Sequence, residues 1–232
     1  MAEEVIAESE RLFEAAEAQK LYDLLIQHKD SKNDELLWRL ARACREVSQL
    51  NDTPADRKKE LIYEGNEYAK QAVEINPNNG FAHKWIGITL SGIGDYEGNK
   101  KKINDAYVIK AEFEKAIELN ANDGTSMHLL GQWCYTIAEM PWYIRKVAAA
   151  IFAAPPESSY EEALKWFQKC EDSPQASFSR NHLWMGMTYH KLNNKEKAIE
   201  WLTKCRDHPP IKDEEVKQQE EAKTLLAKLG VK

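Results

Sequence analysis

Four times along this 232-residue chain, a small residue in one helix-forming stretch is followed by a set of alanine and larger apolar residues in the next. The last copy is the plainest: Gly186 and Tyr189, then Ala198, Leu202, Cys205 and Pro210. The first copy reads Ala41 and Cys44, then Gly65, Ala69, Ala72 and Pro77. The second reads Gly87 and Leu90, then Ile109, Phe113, Ala116 and Ala121. The third reads Gly131 and Cys134, then Ala163, Phe167, Cys170 and Pro174. A small residue is needed where two helices touch closely, and a larger one fills the space opposite. Proline stops the second helix, because it lacks an N–H and disfavours helix in the residue before it. One copy constrains little. Four in register restrict the chain to stacked helical hairpins, since a lone hairpin cannot bury its apolar face.

The spacing is that of the tetratricopeptide helix–turn–helix unit of ~34 residues. The expected fold is therefore all-α: a tetratricopeptide-like solenoid of helical hairpins, with long insertions between paired helices and a C-terminal capping helix. The first three copies carry about 10 to 20 residues beyond that unit. These extras fall between the two helices of each pair and lengthen either the helices or the turns. NDTPADRKKE (51–60) and GDYEGNKKK (94–102) read as polar turns. We expect a single domain, 1–232: an N-terminal helix pair at 3–30, repeats at 34–79, 80–123, 124–176 and 178–210, and a cap at 212–229. Repeat one begins near Asp34, with Asn33 or Asp34 as its N-cap.

Ten glycines and eight prolines are few, which suits a helical chain. A net charge of -6 argues against a general nucleic-acid binder. All four cysteines, Cys44, Cys134, Cys170 and Cys205, sit at repeat anchors and read as reduced core residues of a reducing compartment. No stretch approaches the ~20 apolar residues of a transmembrane segment. The start, MAEEVIAESERLF, is acidic and amphipathic, unlike a targeting signal, and the expected location is the cytoplasm.

Positive charge clusters in the insertions: Arg57, Lys58 and Lys59; Lys100, Lys101 and Lys102; Arg145 and Lys146. A solenoid aligns these turns on one edge, giving a basic stripe able to steer an anionic partner. The plainer alternative is ordinary solvated lysine. The 3.6-residue period places a second set on the groove-facing side of the first helices. It comprises Trp38, Arg39 and Arg42; Lys84 and Trp85; His128 and Gln132; Arg180, Trp184 and Lys191. Arginine and lysine between aromatic faces suit an extended acidic peptide. The alternative is that the tryptophans pack between repeats. In the third insertion, AEMPWYIRKVAAAIFAAPPESS (138–159), Trp142, Tyr143, Ile151 and Phe152 read either as an extra packed helix or as a lipid or membrane contact.

Reactive chemistry is not apparent. There is no Gly-rich phosphate loop, H-E-x-x-H, C-x-x-C or nucleophile elbow. His83, His128 and His182 recur near first-helix starts and read as polar packing residues rather than metal ligands. We expect no enzyme, no metal and no cofactor.

The strings AHKW, GDYEG, HLLGQWCY and EMPWY, continuing through APPESSYEEALKWFQKCE, resemble the regulator of microtubule dynamics family over about 35–210. The resemblance implies a repeat protein that associates with microtubules and spindle poles. In some relatives it implies an N-terminal anchor and a lipid-holding repeat domain at organelle contacts. This chain begins almost directly with helices, which favours the soluble branch. The expected function is binding of acidic tubulin, or of a spindle partner, through the basic turns or groove, in regulation of microtubule dynamics and chromosome segregation. The alternative is a lipid-binding or lipid-transfer module, with acyl chains in a groove closed by 141–153. A chaperone-type clamp for a C-terminal carboxylate ranks third.

Overall fold

A computed structural model describes residues 2–151, 154–174, 179–210 and 213–231. Among them lie twelve α-helices and no strand. These are α1 (Ala2–Glu14), α2 (Ala18–Leu25), α3 (Asp34–Gln49), α4 (Ala55–Ile75), α5 (Gly80–Ile93) and α6 (Asn99–Leu119). They continue with α7 (Gly124–Glu139), α8 (Trp142–Ile151), α9 (Tyr160–Glu171), α10 (Ser179–Lys191), α11 (Lys195–Asp207) and α12 (Asp213–Lys228). Two compact units are formed, Met1–Asn120 with Ala148–Pro155, and Ala121–Val147 with Pro156–Lys232.

Local chemistry fixes the helix starts. Asn33 accepts from the Glu35 and Leu36 amides, and Asn79 from those of Phe81 and Ala82. Ser159 caps α9 and Asn194 caps α11 in the same way. Each side chain satisfies donors that a helix start leaves unpaired, worth ~1 kcal/mol. The extra residues of the first two copies enter the helices, since α4 and α6 are 21 residues each. The polar stretches are therefore shorter as turns than their composition suggests. Pro54 and Gly98 stand at the N-caps, so residues 55–60 and 99–102 are already helical. Polarity marks exposure, not loss of helix, and charged residues are good helix formers. In the third copy the insertion forms α8.

The first unit packs α3 on α4, α4 on α5 and α5 on α6, with α1 and α2 against α3. Leu12, Leu21, Leu25, Leu36, Leu40 and Leu61 form its N-terminal core. The second packs α7 on α9, α9 on α10, α10 on α11, and α12 on α10 and α11. There α12 covers Leu183 and Leu202 with Ala222 and Leu226. The close approaches inside hairpins depend on glycine. A Cβ on Gly87 would lie 2.4 Å from the Phe113 ring, one on Gly131 2.6 Å from Phe167, and one on Gly186 2.6 Å from Leu202. Small and large anchors thus meet as knob and hole, which is the physical content of the repeat.

Candidate interaction surface

The basic residues of the first unit sit on helix N-termini rather than in loops. Arg57, Lys58 and Lys59 lie in the first two turns of α4, and Lys100, Lys101 and Lys102 open α6. The two clusters are neighbours: Lys59 Nζ lies 5.9 Å from both the Tyr63 ring on α4 and the Tyr96 ring just before α6. Carboxylates already engage part of this charge. Arg57 bonds Glu60 at 3.0 Å and Glu64 at 2.7 Å, and chiefly through Glu64 its pKa is raised. Lys101 holds both Asp105 oxygens at 2.7 Å, and Lys102 reaches Asp95 at 3.1 Å. Exposed pairs such as Arg57–Glu60 and Lys102–Asp95 are worth ~0–1 kcal/mol and open easily, whereas Asp105 is nearly buried. Lys58, Lys59 and Lys100 have no carboxylate within ion-pair distance among the described residues.

The third cluster differs. Arg145 donates to the carbonyls of Ile137 and Pro156, so it ties the start of α8 to the chain on either side. Lys146 lies 5.1 Å from the Trp142 ring. Trp142, Tyr143 and Ile151 are 69%, 54% and 64% exposed, so most of α8 faces outward. Phe152 lies outside the described residues.

The groove candidates of the first unit form a ladder of cations and rings. Trp38 stacks on Phe81 at 5.0 Å, Arg39 lies over Trp38 at 4.1 Å, and Lys84 lies over Phe81 at 4.6 Å. Arg42 is held between the rings of Trp38 and Phe13. Trp38, Arg39, Arg42, Lys84 and Trp85 are all buried. What covers the arginines is α1, whose Glu10 meets Arg39 at 2.7 Å and Arg42 at 3.0 Å. Burial raises the Glu10 pKa, but Arg42 and Arg39 together outweigh it and hold the carboxyl below its ordinary value. Sequence reasoning missed Glu10 and Phe13 as partners of this face. No sequence signal pointed to them, because α1 lies outside the repeats.

In the second unit the candidates are drawn into packing to different degrees. His128 is fully buried beside Phe167 and bonded through Nδ1 to Asn181 at 3.0 Å; burial pushes its pKa down to about 3. Trp184 meets Tyr135 edge-on at 5.2 Å. Lys191 pairs with Glu139 at 2.8 Å. Gln132 and Arg180 are half-buried. Among the described residues no group of three His, Cys, Asp or Glu side chains is placed to hold a metal ion, and no helix is long and apolar enough to cross a membrane.

Comparison with known proteins bears on the fold and the family. A thermophilic tetratricopeptide (TPR) protein of Thermus thermophilus superposes with a TM-score of 0.70, at 10% identity, over 97% of this chain and all of its own, which shows a shared fold. Regulator of microtubule dynamics protein 1 of Mus musculus is 52% identical over 98% of this chain and 74% of its own. Its counterpart in Bos taurus is 53% identical over 97% of this chain and 71% of its own. With residues 5–230 matching the family described as regulator of microtubule dynamics protein 1-3, the chain belongs to that family.

Proposed function

We propose that this chain is a non-catalytic regulator of microtubule dynamics. It meets an acidic protein surface, that of tubulin or of a spindle-associated partner, through the cationic N-termini of α4 and α6. The observation that carries this reading is where those cations sit. A helix N-terminus bears roughly half a positive charge and disfavours nearby cations by ~0.3–1 kcal/mol. Yet α6 opens with three lysines and no acidic residue in its first turn, and α4 carries Arg57, Lys58 and Lys59 close behind its start. α4 offsets its cations in part with Asp56, so α6 is the clearer case, and charge kept against its dipole supports a use other than folding. The family's named role supports microtubules as its object, and the location that goes with this reading is the cytoplasm, the cytoskeleton and the spindle.

Tubulin and its tails are strongly acidic. The chain's own net charge of -6 opposes them everywhere except at such a patch. Attraction is therefore local and screened beyond ~10 Å at 0.1 M salt. The test is co-sedimentation with taxol-stabilised microtubules across a salt series, beside subtilisin-treated microtubules that lack acidic tails. Binding is expected to fall with salt and with tail removal. Lys100→Glu with Lys102→Glu is expected to weaken pelleting by at least tenfold while leaving stability unchanged or raised by up to ~1 kcal/mol. Lys101 is kept in this variant because it neutralises Asp105, whose side chain is only 10% exposed. Unchanged pelleting of the variant removes α6 from the surface, and no binding at low salt removes direct tubulin recognition.

A further inference from the structure

The seam between α1 and α3 is built from charge and rings. Glu10 bridges Arg39 and Arg42, and Phe13, one turn further along α1, sets its ring 4.0 Å from the Arg42 guanidinium. Trp38 backs both arginines, at 4.1 Å and 5.1 Å. Glu10 and Phe13 stand i, i+3 on one helix, and Arg39 and Arg42 stand i, i+3 on the other. Two helical registers therefore interlock residue for residue.

Three features mark α1 as a replaceable occupant. The Arg42 side chain is only 8% exposed, yet its Nε and Nη2 find no hydrogen-bond partner. A buried guanidinium offers five donors, and each one left unmade is costly. Glu10 thus satisfies the cradle incompletely, and an occupant with one more acceptor fits it better. Second, α1 is held along one side: only Ser9 and Leu12 are fully buried, while Val5, Ile6 and Phe13 pack on the core partly exposed. Third, α1 runs into Ala16 at φ 55, the left-handed conformation that glycine adopts freely after a helix and alanine resists.

We infer that the Arg39–Arg42–Trp38 cradle is a docking site for a helical protein segment carrying a glutamate and, three residues on, an aromatic side chain. In the free chain α1 fills the site as an internal stand-in. A partner bearing that acidic–aromatic pair and one further acceptor for the Arg42 guanidinium displaces it. The inference stands apart from microtubule binding, since it uses a different helix and a different face. A tethered occupant acts at millimolar effective concentration, so the seat opens only to a tighter ligand or to a chain whose α1 is loosened.

The probe is a fluorescein-labelled peptide of residues 2–16, titrated into the full chain and followed by fluorescence polarisation. The chain carrying Glu10→Ala and Phe13→Ala, with its own stand-in weakened, is expected to bind at least tenfold more tightly than the unchanged chain. A peptide carrying Glu10→Lys is expected to lose that binding, a control that leaves the protein's folding untouched. Hydrogen exchange on the unchanged chain is expected to show α1 amides exchanging at least a hundredfold faster than those of α3. Equal or absent peptide binding by both chains, or α1 amides as protected as α3, overturns the inference. If peptide binding instead dissociates a dimer, the seat belongs to α1 of a second copy, and the partner-protein reading falls.

Discussion

The contact between α7 and α9 and the contact between α1 and α3 solve the same problem in opposite ways. In the first, Gly131 leaves a hole that the fully buried Phe167 ring fills. At the exposed edge of this contact Glu139 accepts from Tyr160, and at the centre the fit is decided by volume. In the second, two buried arginines share Glu10, which is still 36% exposed; Arg39 also pairs with Glu35 of its own helix, and donors of Arg42 are left over. A contact set by shape tolerates one partner, because interiors are packed to crystal density and a misfit is felt at once. A contact set by charge accepts any group that brings the right acceptor and ring. The shape-fitted seam is scaffold, and the charged seam is exchangeable.

The largest test of this contrast is Phe167→Ala. It is expected to lower unfolding free energy by ~3–5 kcal/mol in urea titration, because Gly131 offers no side chain to close the cavity. A loss under ~1 kcal/mol breaks the comparison, since the seam then is not shape-limited. A smaller effect separates the seams by pH. In the unfolded chain His128 takes up a proton below ~6.5, whereas in the fold it resists down to about 3. The unfolded state binds more protons across that window, so stability falls as pH drops through it. By pH 5 the loss is ~2 kcal/mol. Urea midpoints at pH 7.5 and 5 measure it, and His128→Gln is expected to remove this component. The charged seam titrates lower. Glu10, held below its ordinary value, contributes above the unfolded carboxylate pKa and is lost only as pH falls through its own. The smallest effect is Ala16→Gly, expected to raise stability by ~1 kcal/mol or less and to slow hydrogen exchange in α1. Faster exchange would mean that the left-handed Ala16 is not what loosens this helix.

What was readable in the sequence follows the same divide. Gly87 with Phe113, Gly131 with Phe167 and Gly186 with Leu202 are each two helices of one hairpin, so their matching sizes recur at a fixed spacing and announce the fold. The destination of the extra residues was not readable. Lysine-rich polar runs score equally as turn or exposed helix, and only the Pro54 and Gly98 caps settle α4 and α6 as long helices. The 3.6-residue period puts Trp38, Arg39 and Arg42 on one face of α3, but it says nothing about what that face meets. Its partner, α1, belongs to no repeat, and no periodic rule connects Glu10 to residues some 30 positions away. Nor does composition separate Lys100, which has no carboxylate partner among the described residues, from Lys101, which holds Asp105.

The four anchor cysteines carry a further consequence. Cys44 in α3, Cys134 in α7, Cys170 in α9 and Cys205 in α11 are wholly buried. Burial drives the Cys44 thiol far upward and raises those of Cys170 and Cys205 to about 12. A thiol that is both hidden and protonated reacts only when its hairpin opens. The chain therefore carries built-in clocks. Alkylation at Cys44 times the breathing of α3 on α4, Cys134 and Cys170 time α7 on α9, and Cys205 times α11. Of the four repeat hairpins, only α5–α6 keeps no record.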